Sequence, residues 1–276
     1  MKHFIHAQDL SPQEPIRFVD VRFDLKDPAL GRALYEKSHL KGAVFLDLEK
    51  DLSAPKRHGT GNHPLPERNK IQERLSQLGL SPQEFIVLYD NGDQTCAPRA
   101  WFVLTWLGYQ NVRVLLGGMK SALAQGFEAD GNVPEYQPVA LSLTPHEDRL
   151  VDLSVILDYS KGNRPGEALV DSRARLRYLG EQEPLYPVAG HIPYALNFPF
   201  EGNFTPEGDL RSIDELKERF ASLYGKEALY VSCGSGVTAC ANYMAMEEAG
   251  LTPRLFVGSY SQWLAQGLPV ETIERL

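Results

Sequence analysis

The stretch LYVSCGSGVTACANY, from Leu229 to Tyr243, joins an apolar run to a loop of small residues. The run LYV has the apolar continuity of a strand that is buried on both faces. The loop CGSG follows it directly, and its glycines allow backbone conformations that residues with a Cβ seldom adopt. We predict that a helix begins next, near Val237 or Thr238. A strand, a short loop and a helix in this order predict an α/β domain with a mostly parallel sheet.

The same order of segments occurs twice in the chain of 276 residues. FVDVR at Phe18 recurs as LVDSR at Leu169, and FIVLYDNGDQTCAPRAWFVLTWLG recurs as ALYVSCGSGVTACANYMAMEEAG. SHLKGAVFLDL, which contains His39, recurs as AGHIPYALNFPF, which contains His191. A repeat of about half the chain indicates a duplicated domain rather than a short solenoid repeat. Because the two histidines occupy matching places in both halves, we expect them to be structural.

The duplication predicts the division of the chain. We expect two tandem α/β domains, residues 1–130 and residues 149–276, each with a mostly parallel sheet flanked by helices. Between them, GNVPEYQPVALSLTPHED at residues 131–148 has prolines, little periodicity and polar ends. This composition predicts a linker.

Two helical segments carry signals for their ends. PERNKIQERLSQLG ends in Gly79, which suits a C-cap. SIDELKERFASLYG begins with Ser212 and Glu215 at capping-box spacing and closes with Gly225. We therefore predict helices that end near Gly79 and Gly225.

Composition narrows the class of protein. Hydrophobic residues make up 43% and charged residues 23%, as in ordinary globular proteins. The formal net charge of -8 argues against a nucleic-acid surface, and no apolar run has the length of about 18 residues that spans a bilayer. The start of the chain lacks the apolar segment of a secretory signal, and three cysteines are too few for a disulfide framework. We expect a cytoplasmic protein without nucleic-acid or membrane partners.

Cys233 follows the predicted strand at the sheet edge where open α/β folds bind ligands. Backbone N–H groups of a tight loop and the positive end of the next helix form a site for an anion. The anion that we predict is the Cys233 thiolate, since the thiolate is the nucleophilic form of cysteine. The matching loop of the first half, YDNGDQTCAPR, has Asp90 in that place. An aspartate cannot act as a sulfur nucleophile, so we predict that only the second half is catalytic.

These motifs resemble those of the tandem-domain rhodanese superfamily, in which a degenerate N-terminal rhodanese-like domain accompanies an active C-terminal one. The VDxR openings, GHIPYALNFPF, the cysteine loop and VGSYSQW near the end carry the resemblance over nearly the whole chain. Within the superfamily, CGSGVTA is similar to the loop of 3-mercaptopyruvate sulfurtransferases. Thiosulfate-preferring members usually carry a bulkier and more basic loop.

The resemblance implies a sulfurtransferase. Sulfur would pass from a small donor, 3-mercaptopyruvate or alternatively thiosulfate, through a Cys233 persulfide to a thiol such as thioredoxin or glutathione, or to cyanide. We expect no metal and no cofactor, because cysteine and histidine spacings give no zinc signature. The residues expected to hold the sulfur form the rest of the loop: Gly234, Ser235, Gly236, Val237 and Thr238.

The resemblance also implies a proton relay and a carboxylate site. FLDLEKDLSAPKRHGTGNHPLPE places Asp47 and His63 where the family pairs a histidine and an aspartate with the loop serine, Ser235. Such a relay would manage the proton that moves when a mercapto acid gives up its sulfur. For the substrate carboxylate, the family's arginine after the VDSR strand corresponds to Arg177.

This sequence departs from the family at the second carboxylate arginine, where it has Tyr186. The loss of one cationic anchor weakens the case for 3-mercaptopyruvate. Arg173 and Arg175 lie close by in sequence and are candidates to compensate.

The alternatives to a sulfurtransferase are a phosphatase and a non-catalytic binding protein. A phosphatase with a cysteine loop needs an arginine six positions after the cysteine, and here that position is Ala239. This excludes the phosphatase. A non-catalytic persulfide carrier or binding protein is the remaining alternative, because the first half shows that the scaffold can lose its nucleophile.

Overall fold

The structure, a computed structural model, describes residues 1–11 and 13–273. It divides into one unit of Met1–Pro55 and Leu65–His146 and another of Lys56–Pro64 and Glu147–Leu276. The short segment Lys56–Pro64 thus belongs to the second unit although it interrupts the first in sequence. The boundaries 1–130, 131–148 and 149–276 stay a prediction, and their residues 12 and 274–276 lie outside the described part of the chain.

The first unit is built on a parallel sheet. Its described strands are β1 (Phe4–Ile5), β2 (Arg17–Asp20), β3 (His39–Leu40), β4 (Val44–Phe45), β5 (Ile86–Tyr89), β6 (Val112–Leu115) and β7 (Ala129–Asp130). Five of them pair in parallel in the order β1-β6-β5-β2-β4. The other two, β3 and β7, form an antiparallel pair. All four residues of β5 are buried, as expected for an inner strand of a covered parallel sheet.

The helices of the first unit follow its strands in alternation. They are α1 (Leu30–Lys37), α2 (Arg68–Gln77), α3 (Cys96–Trp106) and α4 (Gly118–Ala124), with a 3₁₀ turn at Ala7–Asp9. The predicted end near Gly79 agrees with the structure, since Gly79 has a φ of 64°. The N–H of Gly79 donates to Ser76 and that of Leu80 to Leu75, the hydrogen-bond pattern of a Schellman cap.

The second unit repeats this plan with fewer strands. Its described strands are β8 (Glu167–Asp171), β9 (Leu196–Asn197), β10 (Ala228–Ser232) and β11 (Pro253–Leu255). They form a parallel sheet in the order β11-β10-β8-β9. The strand β10, which precedes the cysteine loop, is therefore an inner strand with a neighbour on each side.

The helices of the second unit are α5 (Leu153–Tyr159), α6 (Arg175–Tyr178), α7 (Ile213–Arg219), α8 (Ala239–Glu248) and α9 (Ser259–Ala265), with 3₁₀ turns at Glu147–Arg149, Phe200–Asn203 and Ala221–Leu223. The capping box of Ser212 and Glu215 is present at the start of α7. The predicted end of this helix near Gly225 is wrong. Phe220 ends α7 and a separate 3₁₀ turn follows, because the buried Phe220 and Leu223 side chains direct this segment into the core.

The duplication is visible in matching contacts of the two units. In the first, Arg22 Nε donates to both carboxylate oxygens of Asp20, at 3.0 and 2.9 Å. In the second, Arg173 Nε donates to both oxygens of Asp171, at 3.0 and 3.1 Å. Both pairs are buried at the end of the inner strand that lies next to an edge strand, β2 beside β4 and β8 beside β9. The VDxR motif is therefore a structural ion pair that fixes the turn after this strand.

The repeated histidines also have matching surroundings. His39 stacks on Tyr35 with ring centroids 4.1 Å apart, and His191 stacks on Tyr178 at 3.7 Å. The Nδ1 atom of each histidine lies 2.7 Å from the carbonyl oxygen of the tyrosine on which it stacks. Both histidines are fully buried. These contacts give each histidine a structural place in its own unit.

Candidate active site

The cysteine loop leaves the sheet at its carboxyl edge. The strand β10 ends at Ser232, Cys233 is the next residue, and α8 begins at Ala239. The helix was predicted to begin near Val237 or Thr238, and the observed start lies one or two residues later, with Thr238 as the N-cap residue. Open parallel sheets bind their ligands at this edge. The local order of strand, loop and helix places Cys233 there because β10 is a fully paired inner strand.

The sulfur of Cys233 accepts a hydrogen bond from the backbone N–H of Gly236 at 3.1 Å. The residue is 2% exposed. Gly236 has a φ of 78°, and a Cβ at this position would lie 2.3 Å from the carbonyl oxygen of Val257. Both the backbone conformation and the lack of space require glycine here. Gly236 therefore shapes the loop so that an N–H group points at the sulfur.

The start of α9 holds the loop in this shape. Ser259 Oγ accepts the N–H of Cys233 at 3.1 Å and donates to Phe256 at 2.9 Å. The N–H of Tyr260 donates to the Cys233 carbonyl at 3.1 Å, and that of Ser261 to the Gly234 carbonyl at 2.8 Å. Sequence reasoning assigned no role to these residues. All three lie in the motif VGSYSQW, which contributes to the family resemblance but was given no role in the predicted site.

The other loop residues differ in exposure. Val237 is buried at 8% exposure, whereas Ser235 and Thr238 are half-buried. Thr238 occupies the N-cap position of α8, but its side chain makes no capping hydrogen bond. The Ser235 and Thr238 hydroxyls are thus the side-chain donors that this loop offers to a ligand.

The structure brings His63 to Ser235. His63 Nδ1 lies 2.8 Å from Ser235 Oγ, across 172 positions of sequence. Further hydrogen bonds anchor the segment Lys56–Pro64 beside the loop. Ser261 Oγ accepts the N–H of Asn62 at 3.0 Å, and the Gly59 carbonyl accepts from Gln262 Nε2 at 3.2 Å and from Gln266 Nε2 at 3.0 Å. This arrangement can move a proton between the serine hydroxyl and the imidazole.

Asp47 lies in the other unit, on the turn after β4. Its Oδ1 accepts the N–H groups of Glu49 at 2.9 Å and Lys50 at 3.0 Å, and the residue is 7% exposed. These local bonds stabilise the turn. The participation of Asp47 in a proton relay with His63 stays a prediction.

Arg177 is held by an internal carboxylate. Its Nε and Nη2 atoms donate to both oxygens of Glu183, at distances from 2.8 to 3.2 Å. The Glu183 side chain is 2% exposed, whereas that of Arg177 is 20% exposed. One side of the guanidinium fork is therefore already occupied by Glu183, and the binding of a substrate carboxylate by Arg177 stays a prediction.

Arg173 does not replace the missing second arginine. Its side chain is 1% exposed, and it donates to Asp171, to Glu183 and to the carbonyl of Gly190. The guanidinium carbon also lies 4.0 Å from the centre of the Tyr260 ring. The buried ion pair of the VDSR motif uses this side chain fully. Arg175 is exposed on α6.

Tyr186 packs against Gly234 of the cysteine loop. A Cβ on Gly234 would lie 2.7 Å from Tyr186 Oη and 3.2 Å from its Cε2. The ring contacts Tyr260 edge-on at 5.8 Å between centroids, and the Arg177 guanidinium carbon lies 5.5 Å from its centre. Burial and the negative charge of Cys233 raise the pKa of Tyr186 to about 12. The phenol is therefore a neutral hydrogen-bond donor beside the nucleophile.

The corresponding loop of the first unit is filled by its own side chain. The carboxylate of Asp90 accepts N–H groups of Gly92 at 2.9 Å, Cys96 at 3.1 Å and Ala97 at 3.0 Å. Asp90 is 1% exposed, and burial raises its pKa to about 6. The anion site at the start of α3 thus has a built-in anion instead of a nucleophile.

Within residues 1–11 and 13–273, no group of three or more histidine, cysteine, aspartate or glutamate side chains is placed to hold a metal ion. None of the helices in these ranges combines the length and apolarity needed to cross a membrane. None of Cys96, Cys233 and Cys240 forms a disulfide.

Comparisons with known proteins agree with this geometry. The rhodanese-like domain matches residues 6–125 and again residues 155–266. A probable 3-mercaptopyruvate sulfurtransferase of Pseudomonas aeruginosa is 40% identical over 267 residues, which cover 94% of this chain and 93% of that protein. A putative thiosulfate sulfurtransferase of Mycobacterium tuberculosis is 34% identical, with 91% of this chain and 88% of that protein covered.

Among solved structures, 3-mercaptopyruvate sulfurtransferase from Leishmania major is similar with a TM-score of 0.83 and 26% identity, covering 96% of this chain and 75% of that one. The predicted fold class and family are confirmed by these matches. The predicted class of enzyme agrees with the names of the relatives. Because the two matches to the family model together cover most of the length of this chain, the chain belongs to the rhodanese family.

Proposed function

We propose that this protein is a sulfurtransferase that moves sulfur from 3-mercaptopyruvate to Cys233 and then to a thiol or to cyanide. The observation that carries the proposal is the Cys233 loop. A nucleophilic side chain follows an inner parallel strand, an N–H group points at its sulfur, and the Ser235 hydroxyl in the same loop is hydrogen-bonded to His63.

The first half-reaction is a balanced displacement at sulfur. The Cys233 thiolate forms a bond to the sulfur of 3-mercaptopyruvate, and the carbon–sulfur bond breaks with its electron pair going to carbon as the enolate of pyruvate. The thiol proton of the donor ends on that carbon. The products are the Cys233 persulfide anion and pyruvate, so no outside oxidant or reductant is required.

The Ser235–His63 pair supports this donor because a proton must leave sulfur and return to carbon. The Oγ–Nδ1 distance of 2.8 Å permits transfer between the two side chains. Thiosulfate carries no such proton, and once it has given its outer sulfur to Cys233 the rest of the molecule leaves as sulfite. A relay is therefore useful for the mercapto acid and unnecessary for thiosulfate. We keep Asp47 as the proposed third member, as in other serine–histidine–aspartate relays.

In the second half-reaction the outer sulfur of the persulfide passes to an acceptor. A thiolate acceptor attacks that sulfur, and the Cys233 thiolate leaves and is regenerated. We propose a cellular thiol such as thioredoxin or glutathione as the acceptor, with cyanide as the laboratory substitute. A cytoplasmic location suits this choice, because a reducing compartment supplies such thiols.

Steady-state transfer to cyanide from each donor tests the proposal. We expect a higher kcat/KM for 3-mercaptopyruvate than for thiosulfate, and Cys233→Ser should abolish transfer from both. Ser235→Ala should lower kcat for 3-mercaptopyruvate by about tenfold to a thousandfold, the range of general acid–base effects, and should lower thiosulfate transfer less. Equal losses with both donors would remove the relay from the mechanism.

Thiosulfate is the second candidate donor. The absence of a second arginine at Tyr186 and the name of the Mycobacterium tuberculosis relative favour it. A clear preference for thiosulfate in the assay above would select it. Mass spectrometry detects the gain of one sulfur atom on Cys233. If neither donor produces this gain, a non-catalytic binding protein is favoured.

A further inference from the structure

The phenol of Tyr186 lies beside Gly234 of the cysteine loop. Its Oη atom has no hydrogen-bond partner among the described residues, although the ring is wedged between the loop and Arg177. Tyr260 supports the ring edge-on at 5.8 Å. A polar group that is fixed in position and left unbonded next to a nucleophile is available to a substrate.

The contacts of Tyr186 follow an order along its side chain. The hydroxyl lies against Gly234, the residue after Cys233, and the face of the ring lies 5.5 Å from the guanidinium carbon of Arg177. A 2-keto-3-mercapto acid has its sulfur, keto oxygen and carboxylate in the same order. With the sulfur at Cys233 and the carboxylate toward Arg177, the keto oxygen falls in the region of Tyr186 Oη.

We propose that Tyr186 donates a hydrogen bond to the keto oxygen of a 2-keto-3-mercapto acid and stabilises the enolate that forms as the carbon–sulfur bond breaks. This inference rests on the proposed function. The phenol keeps its proton throughout: the donor's C–S electron pair becomes the enolate, the enolate carbon takes the proton that left the thiol, and Tyr186 only binds the enolate oxygen. Its role is therefore to set donor specificity.

A neutral donor suits this position for an electrostatic reason. Burial and the nearby Cys233 charge raise the pKa of Tyr186 to about 12, so the hydroxyl stays protonated at neutral pH. A hydrogen bond to an atom that becomes charged is stronger in the transition state than in the bound substrate. The effect should therefore appear in kcat more than in KM.

The test compares Tyr186→Phe with wild-type full-length protein, using 3-mercaptopyruvate and thiosulfate as donors and cyanide as acceptor. We expect kcat with 3-mercaptopyruvate to fall about 10- to 100-fold, with KM changed less than about threefold. Transfer from thiosulfate, which forms no enolate, should stay within about twofold of wild type. The kcat ratio of variant to wild type should be equal at about pH 7 and about pH 9, because the phenol does not ionise in this range.

The control is Tyr224→Phe, since Tyr224 is 43% exposed and its hydroxyl donates to the Ala249 carbonyl rather than to the loop. It should leave both donors unchanged. If Tyr186→Phe keeps its kcat for 3-mercaptopyruvate, or loses activity equally with both donors, the role of Tyr186 is refuted while the proposed function stands. If wild-type protein transfers no sulfur from 3-mercaptopyruvate, the proposed function fails first and the Tyr186 inference fails with it.

Discussion

Replacing Gly236 with alanine should damage both the fold and the chemistry of the cysteine loop. The φ of 78° disfavours alanine by about 1 kcal/mol. The new Cβ would also lie 2.3 Å from the Val257 carbonyl oxygen, so the backbone must shift. Overpacking of this kind costs about 1–3 kcal/mol. We therefore expect Gly236→Ala to lower the free energy of unfolding by about 2–4 kcal/mol.

Gly225→Ala separates the two contributions. Gly225 has a φ of 79°, but no atom lies within 4 Å of its added Cβ. This control should lose only the conformational part, about 1 kcal/mol. Urea unfolding followed by circular dichroism measures both variants.

The chemical effect is measured by sulfur transfer to cyanide. Displacing the Gly236 N–H removes a hydrogen bond to a charged sulfur, which is worth about 1.5–3 kcal/mol, so transfer from either donor should fall about 10- to 100-fold. Gly225→Ala should transfer sulfur at the wild-type rate. This account of the loop is refuted if the two variants are equally stable and Gly236→Ala transfers sulfur within about twofold of the wild-type rate.

Two further predictions concern buried carboxylates. Because burial raises the pKa of Asp90 to about 6, its stabilising effect is complete below about pH 4 and is lost as pH rises through about 6. Urea unfolding of Asp90→Asn should therefore show about 2 kcal/mol less decline in stability between about pH 4 and about pH 6 than wild type, and parallel curves would contradict this. Glu183→Gln leaves Arg177 without its buried partner and should lower stability by about 2–3 kcal/mol, whereas Glu128→Gln, in an exposed pair, should have little effect; similar values for both would contradict the buried network.

The sequence by itself determined the features that depend on local order. Alternating strands and helices, their recurrence in two halves, and the cysteine directly after an inner strand follow from apolar runs, glycines and matching segments. The capping box at Ser212 and the helix end at Gly79 were equally readable, because hydrogen bonds between residues a few positions apart decide them. The replacement of the nucleophile by Asp90 was visible in the same way.

Only the tertiary structure decided which side chains meet at the site. The bond between His63 and Ser235 joins positions 172 residues apart, and no spacing in the sequence measures such a distance. Glu183 was one of two nearby acidic residues in sequence, yet packing buries it against both Arg173 and Arg177. From the sequence, Tyr186 was only the residue that replaces an expected arginine, whereas the fold places its hydroxyl against Gly234. Such contacts depend on how distant segments pack, which is a property of the folded chain and not of its local pattern.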